Sequence, residues 1–205
     1  MKLVNWSSEA DNKADTDGDD TGDSNDSNRV LATNNTLYYY SEVSRTKVLT
    51  MNKNLKNIAT SLENRANILQ HDDPGKIFLH INSYGGSVFA GLAAMDYIKT
   101  CKVPVVTVID GCAASAATLM SVVGSHRMMH KHSFMLVHQL SSVLWGKYAE
   151  MQDEMKNNDL LMKTIRGIYE EHTKIPKAQL NKILKHDLWW DSKKCLQYGL
   201  VDEII

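Results

Sequence analysis

Apolar positions in this chain fall into short β-branched or aromatic runs separated by stretches of helical spacing, and the pattern starts only after the first 28 residues. Asn35 to Val43 is rich in residues that suit a pleated, half-buried surface and predicts the first strand. Residues 52–70 then place Leu55, Ile58, Leu62, Ala66 and Leu69 at three- and four-residue steps, an amphipathic helix that should end before Asp72-Asp73-Pro74-Gly75. Lys76 to Asn82 is a short apolar run. After Ser83-Tyr84-Gly85-Gly86-Ser87, helical spacing resumes through Ala90, Leu92, Met95 and Ile98.

Val103 to Ile109 predicts a second buried strand, with Gly111 and a helical stretch from Ala116 to Val123 behind it. Ser133 to Val137 predicts a third, and a long helix follows at about Tyr148 to His172. Strands alternating with helices imply βαβ crossovers and a mainly parallel sheet, so the expected class is α/β. On the long helix, Leu160, Leu161, Ile165, Ile168 and Tyr169 form either a core stripe or a face for another subunit.

From Ser7 to Asn28 the residues are almost all Ser, Asp, Asn, Gly, Thr, Lys and Ala, too few of them apolar to offset the entropy of ordering. Residues 1–28 therefore read as a disordered acidic tail and 29–205 as the folded domain. The tail holds eight acids against Lys2 and Lys13, or −6, and with −1 for the whole chain the remainder carries +5. That balance gives no nucleic-acid footprint. Asp15, Asp17, Asp19 and Asp26 have the spacing of a calcium loop, but Asp20 stands where its glycine is needed and the last ligand is not Glu.

No apolar stretch approaches the ~20 residues of a membrane span, and the N-terminus lacks the apolar core of a secretory signal. Cys101, Cys112 and Cys195 are an odd number without a CxxC pair, which predicts buried thiols in a reducing compartment such as the cytoplasm. The irregular spacing of His126, His130 and His132 does not make a metal set.

The candidate chemistry sits at strand ends. Val105 to Ala117 reads as buried strand, tight turn and helix, with Ser115 at the turn among alanines that permit close backbone approach. A hydroxyl beside the free amides of a helix start suits a nucleophile that generates an oxyanion, although serine at that place is also an ordinary N-cap. Gly85 and Gly86 could present amides to a ligand, or simply form a turn. His138 ends an apolar strand, where it is either a general base or a structural histidine. Asp187, ahead of Leu188-Trp189-Trp190, sits beside bulky apolar groups that could shield it from solvent, and a buried carboxylate there would orient an imidazole; Asp191 and Asp202 are alternatives that spacing leaves open.

Together these segments resemble the proteolytic subunit of the Clp protease. The resemblance lies in INSYGGSVFAGLAAMDYI at 81–98, GCAASAATLM at 111–120, MLVHQ at 135–139 and HDLWWDSKKCLQYGLVDEI at 186–204, and it covers roughly residues 35–205. It implies a crotonase-like fold of the ClpP type with a long handle helix, and a serine endopeptidase with Ser115 as nucleophile, His138 as base and Asp187 as orienting acid. The oxyanion amides it implies are those of Gly86 and Ala116, with no metal or cofactor.

The implied assembly is two rings of seven enclosing a chamber, fed with unfolded proteins by an AAA+ ATPase, with neither nucleic acid nor membrane as partner. Tyr84 stands where the family usually has proline, Ala116 replaces a methionine, Leu140 replaces a proline, and SSVLWGKYAE lacks the glycine-rich substrate strand. Three other readings share the scaffold: a capsid-maturation protease, a catalytically silent ring subunit, and a crotonase-type enzyme acting on acyl-coenzyme A.

Overall fold

The computed structural model describes residues 29–205. The acidic tail and its calcium-like spacing lie outside the described residues. The first two strands, β1 (Arg29–Thr33) and β2 (Thr36–Tyr40), form a hairpin closed by Asn34-Asn35, with Asn34 at φ 55. Asparagine tolerates that left-handed conformation better than most residues, which is why two positions suffice for the turn.

The first helix, α1 (Arg45–Leu69), starts seven residues ahead of the expected position. Ser44 accepts a hydrogen bond from Lys47 N and caps it, and Val48 and Met51 extend the buried stripe of Leu55 and Ile58 backwards by two turns. At the other end Gln70 adopts φ 54 and its amide bonds back to Ala66, so the helix stops before Asp73-Pro74-Gly75 as expected. Leu69, expected on the apolar face, is exposed.

The chain then runs β3 (Ile77–Ser83), α2 (Val88–Thr100), β4 (Val105–Ala114), α3 (Ala116–Ser121), β5 (His126–Met129), β6 (Phe134–Leu136), α4 (Tyr148–His172), α5 (Lys177–Leu184), β7 (Trp189–Asp191), α6 (Ser192–Gln197) and β8 (Glu203–Ile204). The eight strands form one sheet in the order β1-β2-β3-β4-β5-β8, with β6 pairing β4 and β7 pairing β6. Apart from the β1–β2 hairpin and the β6–β7 pair, every pairing is parallel. The expected α/β class, mainly parallel sheet and long handle helix are all present.

Strand β4 is the organising element. Its first half pairs with β5 through Val106 to Ile109, and its second half pairs with β6 through Cys112 to Ala114. The change of partner falls at Gly111, whose φ of +77 is open to glycine at little cost. Buried Ser133 spans the break: its hydroxyl accepts from Gly111 N at 2.8 Å and donates to Ile109 O at 3.0 Å. The fork sends β6 past the end of β5, toward the helix that β4 feeds.

One continuous core unites the sheet with α1, α2, α3 and the ends of α4 and α5. On α4, Ile165, Ile168 and Tyr169 are buried, whereas Leu160 is 64% exposed and Leu161 half-buried. The expected stripe is thus a core contact only in its C-terminal part. Leu160 lies off the 161–165–168 line of the 3.6-residue period, so it faces away from the sheet. Cys112 and Cys195 are buried free thiols and Cys101 is half-buried. Among the described residues no helix is long and apolar enough to cross a membrane.

Candidate active site

The turn between β4 and α3 holds Ser115 at φ 53, ψ −126, a combination that a side chain bearing Cβ rarely adopts. Three contacts maintain it. Ser115 N donates to Leu136 O at 2.9 Å, Thr118 N donates to Ser115 O at 2.9 Å, and the Thr118 hydroxyl, which also bonds Ser115 O, lies 2.6 Å from Tyr169 OH on α4. Burial pushes the Tyr169 phenol up to about 12, against the lowering effect of Thr118, so it stays a neutral hydrogen-bonding group. Although Ser115 occupies the N-cap position of α3, its side chain makes no capping bond. The hydroxyl is half-buried and uncommitted.

The loop Ser83 to Ser87 packs onto this turn. Gly85 (φ +100) is so close that a Cβ there would lie 2.7 Å from both Ala114 O and Ser115 Cβ. Gly86 (φ +145) abuts Val43, with which it forms a bridge. The loop is tied down by Val43 N to Gly85 O, Gly85 N to Ser83 Oγ and Ser87 N to Val43 O, and these bonds leave the Gly86 amide out. Uncapped α3 likewise offers the Ala116 amide without a side-chain acceptor. Two N–H groups beside one serine can stabilise an oxyanion.

His138 and Asp187 meet because two strand registers converge. In the β6–β7 pair Phe134 faces Asp191, Met135 faces Trp190 and Leu136 faces Trp189; two residues further along the same antiparallel count, His138 faces Asp187. His138 Nδ1 lies 3.0 Å from Asp187 Oδ1. In the parallel β4–β6 pair Ala114 faces Leu136, which sets Ser115 beside the stretch leading to His138. Among the described residues no hydrogen bond joins the Ser115 hydroxyl to the imidazole; serine and histidine are neighbours through the Ser115 amide and Leu136. Catalytic bonds of this kind commonly tighten only when substrate binds.

The expectation of a shielded carboxylate is corrected. The Asp187 side chain is 76% exposed and that of His138 21%. Alternation along β7 turns only Trp190 into the core, while Leu188 and Trp189 point outward and cannot cover the acid. The alternative acids have other work: Asp191 caps α6 by accepting from Lys194 N, and Asp202 pairs with Arg127. The Arg127 guanidinium holds the Asp202 carboxyl below its usual range.

A second polar cluster escaped the sequence reading. Asp110 Oδ2 lies 2.6 Å from Tyr40 OH and 2.7 Å from His80 Nδ1. His130 Nε2 sits 3.1 Å from Oδ1 without the alignment of a hydrogen bond, so that buried oxygen has an ion-pair contact but no hydrogen bond. Burial alone would raise the Asp110 carboxyl, but the bonds from His80 and Tyr40 prevail and lower it. Only its position on neighbouring strands, β2, β3 and β4, assembles the cluster, so no spacing motif announces it. Among the described residues no group of three or more His, Cys, Asp and Glu side chains is arranged to hold a metal ion.

A strained serine between a parallel strand and a helix, two unclaimed amides and an imidazole–carboxylate pair on the adjoining strands make the layout of a serine hydrolase. Residues 32–205 match the family model for Clp protease, and the chain belongs to that family. It is 30% identical over 151 residues to the ATP-dependent Clp protease proteolytic subunit of Deinococcus radiodurans, covering 72% of this chain and 74% of that one. It is 35% identical over 145 residues to proteolytic subunit 1 of Protochlamydia amoebophila, covering 67% and 69%. Among solved structures it is similar to a mutant of ClpP1 from Listeria monocytogenes, with a TM-score of 0.71, 25% identity, and coverage of 84% of this chain and 91% of that chain. The fold is of the ClpP type.

Proposed function

We propose that this chain is a serine endopeptidase subunit that cleaves peptide bonds through an acyl-enzyme on Ser115. The observation that carries the proposal is the convergence of registers that sets the strained Ser115 turn beside the His138–Asp187 contact. With Nδ1–H donating to Asp187, His138 Nε2 is free to take the hydroxyl proton as Ser115 Oγ bonds to the scissile carbonyl carbon. The carbonyl oxygen becomes an oxyanion received by the Gly86 and Ala116 amides. The imidazolium then protonates the leaving amine as the C–N bond breaks. A water, deprotonated by His138, attacks the acyl-enzyme and releases the new carboxylate and Ser115.

Residues 29–205 serve as the peptidase domain, behind a separate acidic extension. The exposed N-terminal half of α4, with Tyr148, Met155 and Leu160 open to solvent, suits contact between subunits, in keeping with a closed double ring. The words "ATP-dependent" in the names of the relatives support an AAA+ ATPase that delivers unfolded protein to it, in the cytoplasm or an equivalent reducing compartment. A complete serine, histidine and aspartate set counts against a silent subunit and against an acyl-coenzyme A enzyme, which would not need all three.

The test is labelling by a fluorophosphonate, comparing the native chain with Ser115→Ala and locating the adduct by mass spectrometry. Adduct confined to Ser115 is the expected result. An assembled chain that takes no label would overturn the peptidase reading.

A further inference from the structure

Tyr169, Thr118 and Ser115 form one hydrogen-bonded file that ends on the peptide group following the serine. Thr118 Oγ1 donates to Ser115 O and lies 2.6 Å from Tyr169 OH. A threonine hydroxyl has one proton to give, and here the carbonyl takes it, so the phenol is the donor to Thr118. The file therefore has a direction, from Tyr169 O–H to Thr118 O–H to Ser115 C=O. It is sealed from solvent, with Thr118 0% and Tyr169 1% exposed. Burial pushes the phenol up to about 12, so its proton stays in place.

The Ser115 carbonyl and the Ala116 amide are two ends of one planar peptide group, and in the trans form its N–H points opposite to its C=O. Anchoring the oxygen therefore aims the hydrogen. The oxygen is drawn toward α3 and α4, whereas Ala116 N stands by the glycine loop, 3.1 Å from where a Cβ on Gly85 would lie. Its N–H is thus turned toward the loop that carries Gly86. Two bonds hold the oxygen, one from Thr118 N at 2.9 Å and one from Thr118 Oγ1. The second matters because Ser115 sits at φ 53 and ψ −126, a conformation that persists only where its surroundings hold it. Donors in series also polarise one another, so each proton in the file strengthens Ala116 N–H as a donor.

We infer that Tyr169 and Thr118 are positioning residues for the oxyanion: they hold and polarise the Ser115–Ala116 peptide so that the Ala116 N–H meets the negative oxygen formed on the scissile carbonyl. The inference rests on the peptidase reading. Both side chains are buried beneath the Ser115 turn and act only through the Ser115 carbonyl. Their effect falls on the transition state, where charge develops, and not on the uncharged carbonyl of the bound peptide.

The test uses the assembled full chain, a fluorogenic peptide, and kcat expressed per serine titrated with a fluorophosphonate. Absence of labelling in the native chain overturns the peptidase reading and this inference with it. Given labelling, Tyr169→Phe, which removes only the phenol oxygen, should lower kcat ~5- to 10-fold, and Thr118→Val ~10- to 50-fold, with KM within about 2-fold of native. Loss of a whole oxyanion donor costs ~100- to 1,000-fold and sets the ceiling. Thr118→Ser keeps the hydroxyl and should recover kcat to within about 3-fold of native. Tyr169→Phe added to Thr118→Val should slow it no further, because both side chains act through one oxygen. A merely structural role would lower Tm and leave kcat per titrated serine unmoved. Native kcat in both Tyr169→Phe and Thr118→Val, a loss carried by KM, or Thr118→Ser as slow as Thr118→Val overturns the inference alone.

Discussion

Replacing Gly85 by alanine should disable the site through a contact that can be sized from the structure. The added Cβ would sit 2.7 Å from Ser115 Cβ and Ala114 O, where ordinary contact begins at 3.4 Å, so the Ser115 turn or the loop must give by about 0.7 Å. Catalysis loses about 100-fold for a misplacement of ~1 Å, which predicts a fall of roughly 30- to 100-fold in both peptide kcat/KM and labelling rate. Gly85 also sits at φ +100, and that strain alone costs alanine ~1–2 kcal/mol.

Gly75→Ala separates the two effects. Gly75 has φ +89 but nothing within 4 Å of its would-be Cβ, so this variant carries the strain without the clash. Its Tm should fall by ~2–6 °C with native labelling, whereas Gly85→Ala should lose more stability and nearly all activity. Labelling of Gly85→Ala at the native rate would refute the argument that this loop fixes the position of Ser115.

Other outcomes follow from the same geometry. Ser115→Gly should melt ~2–4 °C above Ser115→Ala, by thermal denaturation, because glycine relieves φ 53 and ψ −126 while both variants lack the hydroxyl. Asp187→Asn should lower kcat by only ~10-fold, against ~10,000-fold for a buried triad acid, because solvent around the exposed carboxylate screens its charge even at the direct 3.0 Å contact with the imidazole; a loss above 1,000-fold would show that the acid is shielded during turnover. Folding holds the Asp110 carboxyl below its ordinary 3.8, so the folded chain binds fewer protons than the unfolded one near that pH. Its contribution is present above 3.8 and is lost as pH falls through the lower folded value. The Tm of the native chain should accordingly drop more steeply below about pH 4 than that of Asp110→Asn.

The long elements were legible because periodicity repeats within them: α4 begins and ends at Tyr148 and His172, as its spacing predicts. Short elements were not. β5, β7 and β8 span four, three and two residues, too few for alternation to register, and they are strands because β4, β6 and β5 offer them edges. The start of α1 depends on Ser44, a cap visible only once Val48 and Met51 are known to face the core. Asp187 and His138 could be singled out by their surroundings in the chain, yet the exposure of the acid depends on which tryptophan β7 turns inward. The Asp110 cluster exists only through pairings between distant segments.

The two registers around β6 also couple the quality of folding to competence. Because side chains alternate, sliding β6 by one residue against β4 and β7 would turn Met135 and Val137, now 0% and 2% exposed, out to solvent and drive His138 into the apolar layer. The slipped chain would lose its core at the same step at which it lost the His138–Asp187 contact. A three-residue strand thus acts as its own inspector: a population that passes the hydrophobic test has its imidazole facing the carboxylate, and misaligned chains are removed by instability.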